Sequence, residues 1–104
     1  MTIAAITIWE GTPKGIELLL EGSKLSAPVH EEMGAKNPRL WRASAGPDVH
    51  QAIYEIQFDS HEEYGRFTDK MMQSDWWAGT MEWMAANHED IKNMGTTVLY
   101  DALS

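Results

Sequence analysis

The chain predicts an α+β fold in which one antiparallel sheet of four strands carries two helices on a single face. Three observations support this. Short β-branched and aromatic runs, each bounded by turn residues, occur at both ends and twice in the middle. Two stretches with apolar residues at helical spacing lie between them. The resulting order is strand, helix, strand, strand, helix, strand, two βαβ halves of similar length, which is the ferredoxin-like pattern. A chain of 104 residues leaves room for one domain, 1–104, at roughly 100–200 residues per domain.

Residues 2–10 (TIAAITIWE) form the first predicted strand, which stops at Gly11-Thr12-Pro13. Ala4, Ile6 and Ile8 alternate with Ile3, Ala5, Thr7 and Trp9, so both faces are largely apolar and both are expected to be covered. Thr12 then suits an N-cap with Pro13 at the first helical position. Ile16, Leu19 and Leu20 share one helical stripe, with Glu17 and Glu21 off it. This helix is expected to run to about Met33 and end at Gly34, with Pro28 kinking or splitting it.

Residues 38–45 give a second strand around Leu40, Trp41 and Arg42, and Gly46-Pro47-Asp48 a tight turn. Residues 49–59 (VHQAIYEIQFD) are the clearest strand, so the second and third strands should form a hairpin. Ser60 and Glu63 have capping-box spacing, with His61, Glu62 and Glu63 placing acid in the first turn of the next helix. Tyr64, Phe67 and Met71 recur along it, and Ser74-Asp75 starts a fresh helical segment over 76–88. Residues 92–95 are expected to be a loop, and 96–103 (TTVLYDAL) the closing strand.

Two helices cover one face of such a sheet. Either Ile3, Ala5 and Trp9 or Ala4, Ile6 and Ile8 must then lie on the other face. An apolar patch of several hundred Å² is unusual on a monomer, so a two-fold homodimer packed sheet to sheet is expected. Composition narrows the partners further. Eight basic against 16 acidic residues give a net charge of −8, unsuited to nucleic acid or an anionic membrane surface. There is no Cys, which rules out disulfides, thiolate metal sites and thiol nucleophiles. No apolar run approaches the ~20 residues of a membrane span. Residues 1–10 lack the features of a secretory leader, so a cytoplasmic location is expected.

The order of elements, which covers nearly the whole chain, resembles the dimeric α/β barrel superfamily. This superfamily includes the antibiotic-biosynthesis-type monooxygenases and the NIPSNAP-like proteins. Ser74-Asp75-Trp76-Trp77 resembles the acidic-x-Trp segment that interrupts the second helix of NIPSNAP-like members, and Thr97-Val98-Leu99-Tyr100 their closing strand. The resemblance implies a site between the sheet and the helices of each subunit. Heme-degrading members carry a Trp and a His on the last helix, here Trp77 and His88. They also use an Asn on the first strand, where this chain offers only Thr7 as the nearest polar residue. That departure speaks against heme.

Five Trp and seven Met are the compositional signature, and Met71, Met72, Trp76, Trp77, Met81, Trp83 and Met84 fall in one segment. Such a stripe packs a core or walls an apolar pocket for a flat ligand. Trp76, Trp77, Trp83 and Met81 are the substrate-binding candidates. Among the histidines, His50 and His61 read as surface residues, whereas His30 and His88 are acid/base candidates. Tyr64 joins them as a catalytic candidate, and Tyr54 and Glu55 could also reach a pocket. Glu55 would need a partner such as Arg42 or Arg39. His30-Glu31-Glu32 and His61-Glu62-Glu63 point their side chains about 100° apart on a helix, so neither forms a metal face. No phosphate loop or HExxH pattern is present, and no metal or cofactor is expected. The expected function is binding of a small hydrophobic or aromatic molecule. Its catalytic form would be a cofactor-independent monooxygenase, or a cyclase or isomerase of polyketide type. The alternative is a non-catalytic dimeric ligand-binding or protein-interaction module.

Overall fold

The first strand made becomes an inner strand. In the computed structural model, which describes residues 1–104, β1 (Ile3–Gly11) lies between β3 (Gln51–Phe58) and β4 (Ile91–Tyr100). β2 (Lys36–Arg42) pairs with β3, so the antiparallel sheet runs β2-β3-β1-β4. α1 (Pro13–Glu32), α2 (His61–Met72) and α3 (Asp75–Ala86) complete the ferredoxin-like α+β fold. No helix is long and apolar enough to cross a membrane.

Register settles which face of β1 the helices cover. Ile3, Ala5 and Trp9 are buried with Ala52, Ile56 and Phe58 of β3. Ala4, Ile6 and Ile8 lie on the opposite face, across from Gln57, Glu55 and Ile53. The helix side holds two core clusters. One joins Ile3, Phe58 and Phe67 with Ala5, Ala35 and Ile56, and the other gathers Trp9, Ile16, Leu19, Ala52 and Ile91. Tyr54 packs against both.

The start of α1 is clasped by the start of β4. The Thr12 hydroxyl accepts from Gly15 N at 3.1 Å and donates to Asp90 Oδ1 at 3.0 Å, while Thr12 N donates to the Asp90 carbonyl at 2.9 Å. A Cβ on Gly15 would stand 1.9 Å from that carbonyl oxygen, so glycine is required by the close approach. Gly15→Ala should destabilise the protein by about 1–3 kcal/mol, even though alanine gains about 1 kcal/mol in an ordinary helix. Urea unfolding would show this, and an unchanged midpoint would mean that α1 can slide off β4 freely.

Five expectations are corrected. Pro28 does not split α1, which is continuous from Pro13 to Glu32. Pro28 removes one backbone donor, and Leu19 and His30, buried on either side of it, hold the helix in place. Residues 92–95 are not a loop but part of β4. Thr7 pairs with Thr96 and Trp9 with Asn93, so one extra residue is absorbed in a bulge. Gly95 supplies a φ of 111°, and its N–H donates to Asn93 Oδ1 at 2.8 Å. The strand therefore ends at Tyr100 rather than at 103. The β2–β3 connection is an eight-residue segment, 43–50, rather than a tight turn. Finally, Glu55 stands across from Arg39 in the β2–β3 ladder but forms an ion pair with neither Arg39 nor Arg42. It accepts from Trp41 Nε1 at 3.1 Å and Gln57 Nε2 at 2.6 Å, while Arg42 bonds Glu17 across to α1. Two neutral donors on the outer face satisfy the carboxylate where an ion pair was expected.

Candidate functional site

A cavity of about 480 Å³ lies between the sheet and the helices. Its position follows from the helix break. Ser74 caps α3, accepting from Trp77 N at 3.3 Å, and donates to the Met71 carbonyl at 2.6 Å. The chain restarts there in a new helix whose residues are nowhere fully buried. The bulky side chains of α3 meet the sheet only partway, and the gap beneath them is the cavity.

The four substrate-binding candidates, Trp76, Trp77, Trp83 and Met81, all line it. Trp83 stands edge-on to Trp9 of the sheet at 6.0 Å between ring centroids. The Trp76 indole donates from Nε1 to Ser26 Oγ at 2.8 Å, tying α3 to α1. On the sheet side, the Thr7 and Thr96 hydroxyls bond each other at 2.7 Å. Thr7, the polar residue nearest the expected first-strand position, thus faces the cavity with its hydrogen bond already made.

The catalytic candidates divide. His30 and Tyr64 line the cavity. Tyr64 comes from the first turn of α2, with its ring against Phe58 at 5.3 Å. His88 does not join them. It is exposed beyond the end of α3, its Nδ1 bonded to the Ala85 carbonyl at 2.9 Å, and it is not among the lining residues. Position 88 lies past the last turn, where the chain has already turned toward β4. His50 and His61 are exposed.

His30 is the buried polar residue of the fold, 5% exposed. Its Nδ1 lies 2.7 Å from the Tyr54 hydroxyl, and its Nε2 is buried with no partner in the protein. The ring is held among aromatics, with Trp76 at 4.4 Å, Tyr54 at 5.5 Å and Phe67 at 5.6 Å between centroids. Burial disfavours the imidazolium and pushes the His30 pKa down to about 4. Burial, aided by the Glu31 carboxylate, pushes the Tyr54 phenol up. Both groups are therefore neutral near pH 7. Glu31 and Glu32 are exposed while His30 is buried, the divergence that helix geometry requires of adjacent residues.

Tyr54 is the residue that sequence reasoning passed over as a partner for His30. Two signals point to it. Tyr54 stands between Ala52, Ile56 and Phe58 on an otherwise apolar strand face, where a phenol needs a hydrogen-bond partner. His30 continues the inward helical stripe of Leu19, Ser23 and Ser26.

No family model and no curated protein matches the chain. Solved structures do. A dimeric ferredoxin-like protein from an uncultured marine organism superposes with a TM-score of 0.77 at 10% identity, over 99% of this chain and 97% of that one. A NIPSNAP family protein from Agrobacterium tumefaciens gives 0.72 at 12% identity, over 98% and 94%. A candidate antibiotic biosynthesis monooxygenase from Deinococcus radiodurans gives 0.69 at 10% identity, over 98% and 93%. The chain shares their ferredoxin-like fold. Identities this low speak for the fold alone, because one fold hosts many chemistries.

Proposed function

We propose that the protein is a homodimer that binds a small, largely apolar aromatic molecule in the cavity between the sheet and helices of each protomer. The observation that carries this reading is the cavity itself: about 480 Å³, walled mostly by apolar side chains, with a buried histidine at its edge. That combination of an apolar chamber and a few fixed polar groups is the ordinary make-up of a small-molecule site.

The dimer rests on the outer sheet face. Ala4, Ile6, Ile8 and Ile53 lie side by side there, beside Trp41, which is 51% exposed. A two-fold axis would bring this surface onto itself and remove it from water. The marine-organism protein of the same fold is dimeric, which supports the reading.

Catalysis is the second reading, favoured by the presence of His30 and Tyr64 at one cavity. A cofactor-independent oxygenation or cyclisation would use those two groups.

Native mass spectrometry of the purified protein tests the proposal. The expected species has twice the 11.8 kDa chain mass and takes up an added tricyclic aromatic at one molecule per protomer. A monomer that takes up none would overturn it. If catalysis accompanies binding, the aromatic is recovered with a changed mass. An unchanged mass after prolonged aerobic incubation leaves binding alone.

A further inference from the structure

The hydrogen-bond bookkeeping of His30 and Tyr54 gives the cavity a polarity. Tyr54 keeps its proton and the imidazole carries a single one, so two arrangements are open. With the imidazole proton on Nδ1, Nδ1–H donates to the phenol oxygen. The phenol proton and the buried Nε2 lone pair are then both without partners in the protein. With the proton on Nε2, the phenol donates to Nδ1 across the 2.7 Å contact, and only Nε2–H is unmatched. Each unmatched buried polar group is costly, so the second arrangement prevails.

We infer that Tyr54 fixes the tautomer of His30 so that the cavity offers one hydrogen-bond donor, Nε2–H, and selects neutral planar aromatics bearing an acceptor such as a ring carbonyl. This rests on the ligand-binding reading of the cavity and adds the chemical class. The ring nearest the imidazole is the Trp76 indole, at 4.4 Å and 75°. For a ligand acceptor to reach the buried Nε2, a neighbouring side chain must give way, an adjustment common on binding. Within this dyad Tyr54 is a positioning residue, since it acts on the ligand through His30.

Three tricyclics with one skeleton test the inference: fluorenone, with a carbonyl acceptor; fluorene, with a methylene; and carbazole, with an N–H donor. Titration calorimetry should give fluorenone about fivefold or more tighter binding than fluorene, the worth of one net hydrogen bond, and carbazole the weakest. His30→Phe should abolish the fluorenone advantage. Tyr54→Phe should narrow the gap between fluorenone and carbazole, because both tautomers become available. The ¹⁵N shifts of the imidazole in the wild-type protein give an independent readout that needs no variant, and Nε2 should be the protonated nitrogen. Equal affinities for fluorenone and fluorene, or a proton on Nδ1, overturn the inference while leaving a ligand cavity in place. Failure of all three to bind overturns the ligand-binding reading and this inference together.

Discussion

Between pH 7 and pH 4 the protein should lose about 3 kcal/mol of stability through His30 alone. In the unfolded chain His30 takes up a proton near pH 6.5, whereas in the fold it resists protonation until about pH 4. Below pH 6.5 each proton therefore favours the unfolded state. The contribution is complete above pH 6.5, declines through the window and levels off below pH 4. Carboxylates titrate near its lower end, so a reference is needed. His30→Phe by itself strands the Tyr54 hydroxyl without a partner, at about 1–3 kcal/mol. The double variant His30→Phe/Tyr54→Phe removes both polar groups while keeping two rings in place. Urea unfolding from pH 4 to pH 7 should show the wild type losing about 3 kcal/mol more than the double variant. Parallel stability curves would mean that the imidazole is hydrated in the fold.

Ile8→Glu should convert the proposed dimer to a monomer without unfolding it. Ile8 sits on the outer face, opposite Ile53, with Trp41 beyond it in the same row. In a lone protomer the site is only half-buried, so a carboxylate there can reach water and the fold should tolerate it. Between two packed sheets the same carboxylate is buried without a partner, and the dimer dissociation constant should rise at least about a hundredfold. Sedimentation velocity at micromolar concentration would show the shift, with circular dichroism confirming the fold. A variant that stays dimeric would place the interface elsewhere on the molecule.

The architecture was legible because each element carries its own local signals. Thr12-Pro13, Ser60 and Ser74 cap the helices they were expected to start. The alternation of Ala52, Tyr54, Ile56 and Phe58 with Ile53, Glu55 and Gln57 separates the two faces of β3 in the sequence alone. What escaped was decided by partners distant in sequence. Lys92 and Asn93 look like loop residues, and only pairing with Glu10 and Trp9 makes them strand. Glu55 drew a charged partner because Arg39 does stand across from it on β2, yet its carboxylate is taken up by the Trp41 indole and by Gln57, two positions along its own strand. The site was legible as a set of aromatics on one helix. It was less so in its polar groups: His30 and Tyr54 lie 24 positions apart, and their meeting depends on how α1 crosses the sheet. His88 was attractive for its position after the tryptophans, but the chain turns away just before it.

The clasp between Thr12 and Asp90 also bears on how the chain is born. The two residues lie 78 positions apart. Of the four strands β1 emerges from the ribosome first, yet it needs β4, the last of the four, along one whole edge. Until β4 is out, the nascent chain carries an unpaired β1 edge and an unanchored α1. Folding must then wait for β4, since the long-range closure that locks the first helix needs that strand. A nascent chain stalled before residue 90 should therefore stay protease-sensitive and recruit chaperones, whereas one that has exposed all of β4 should not.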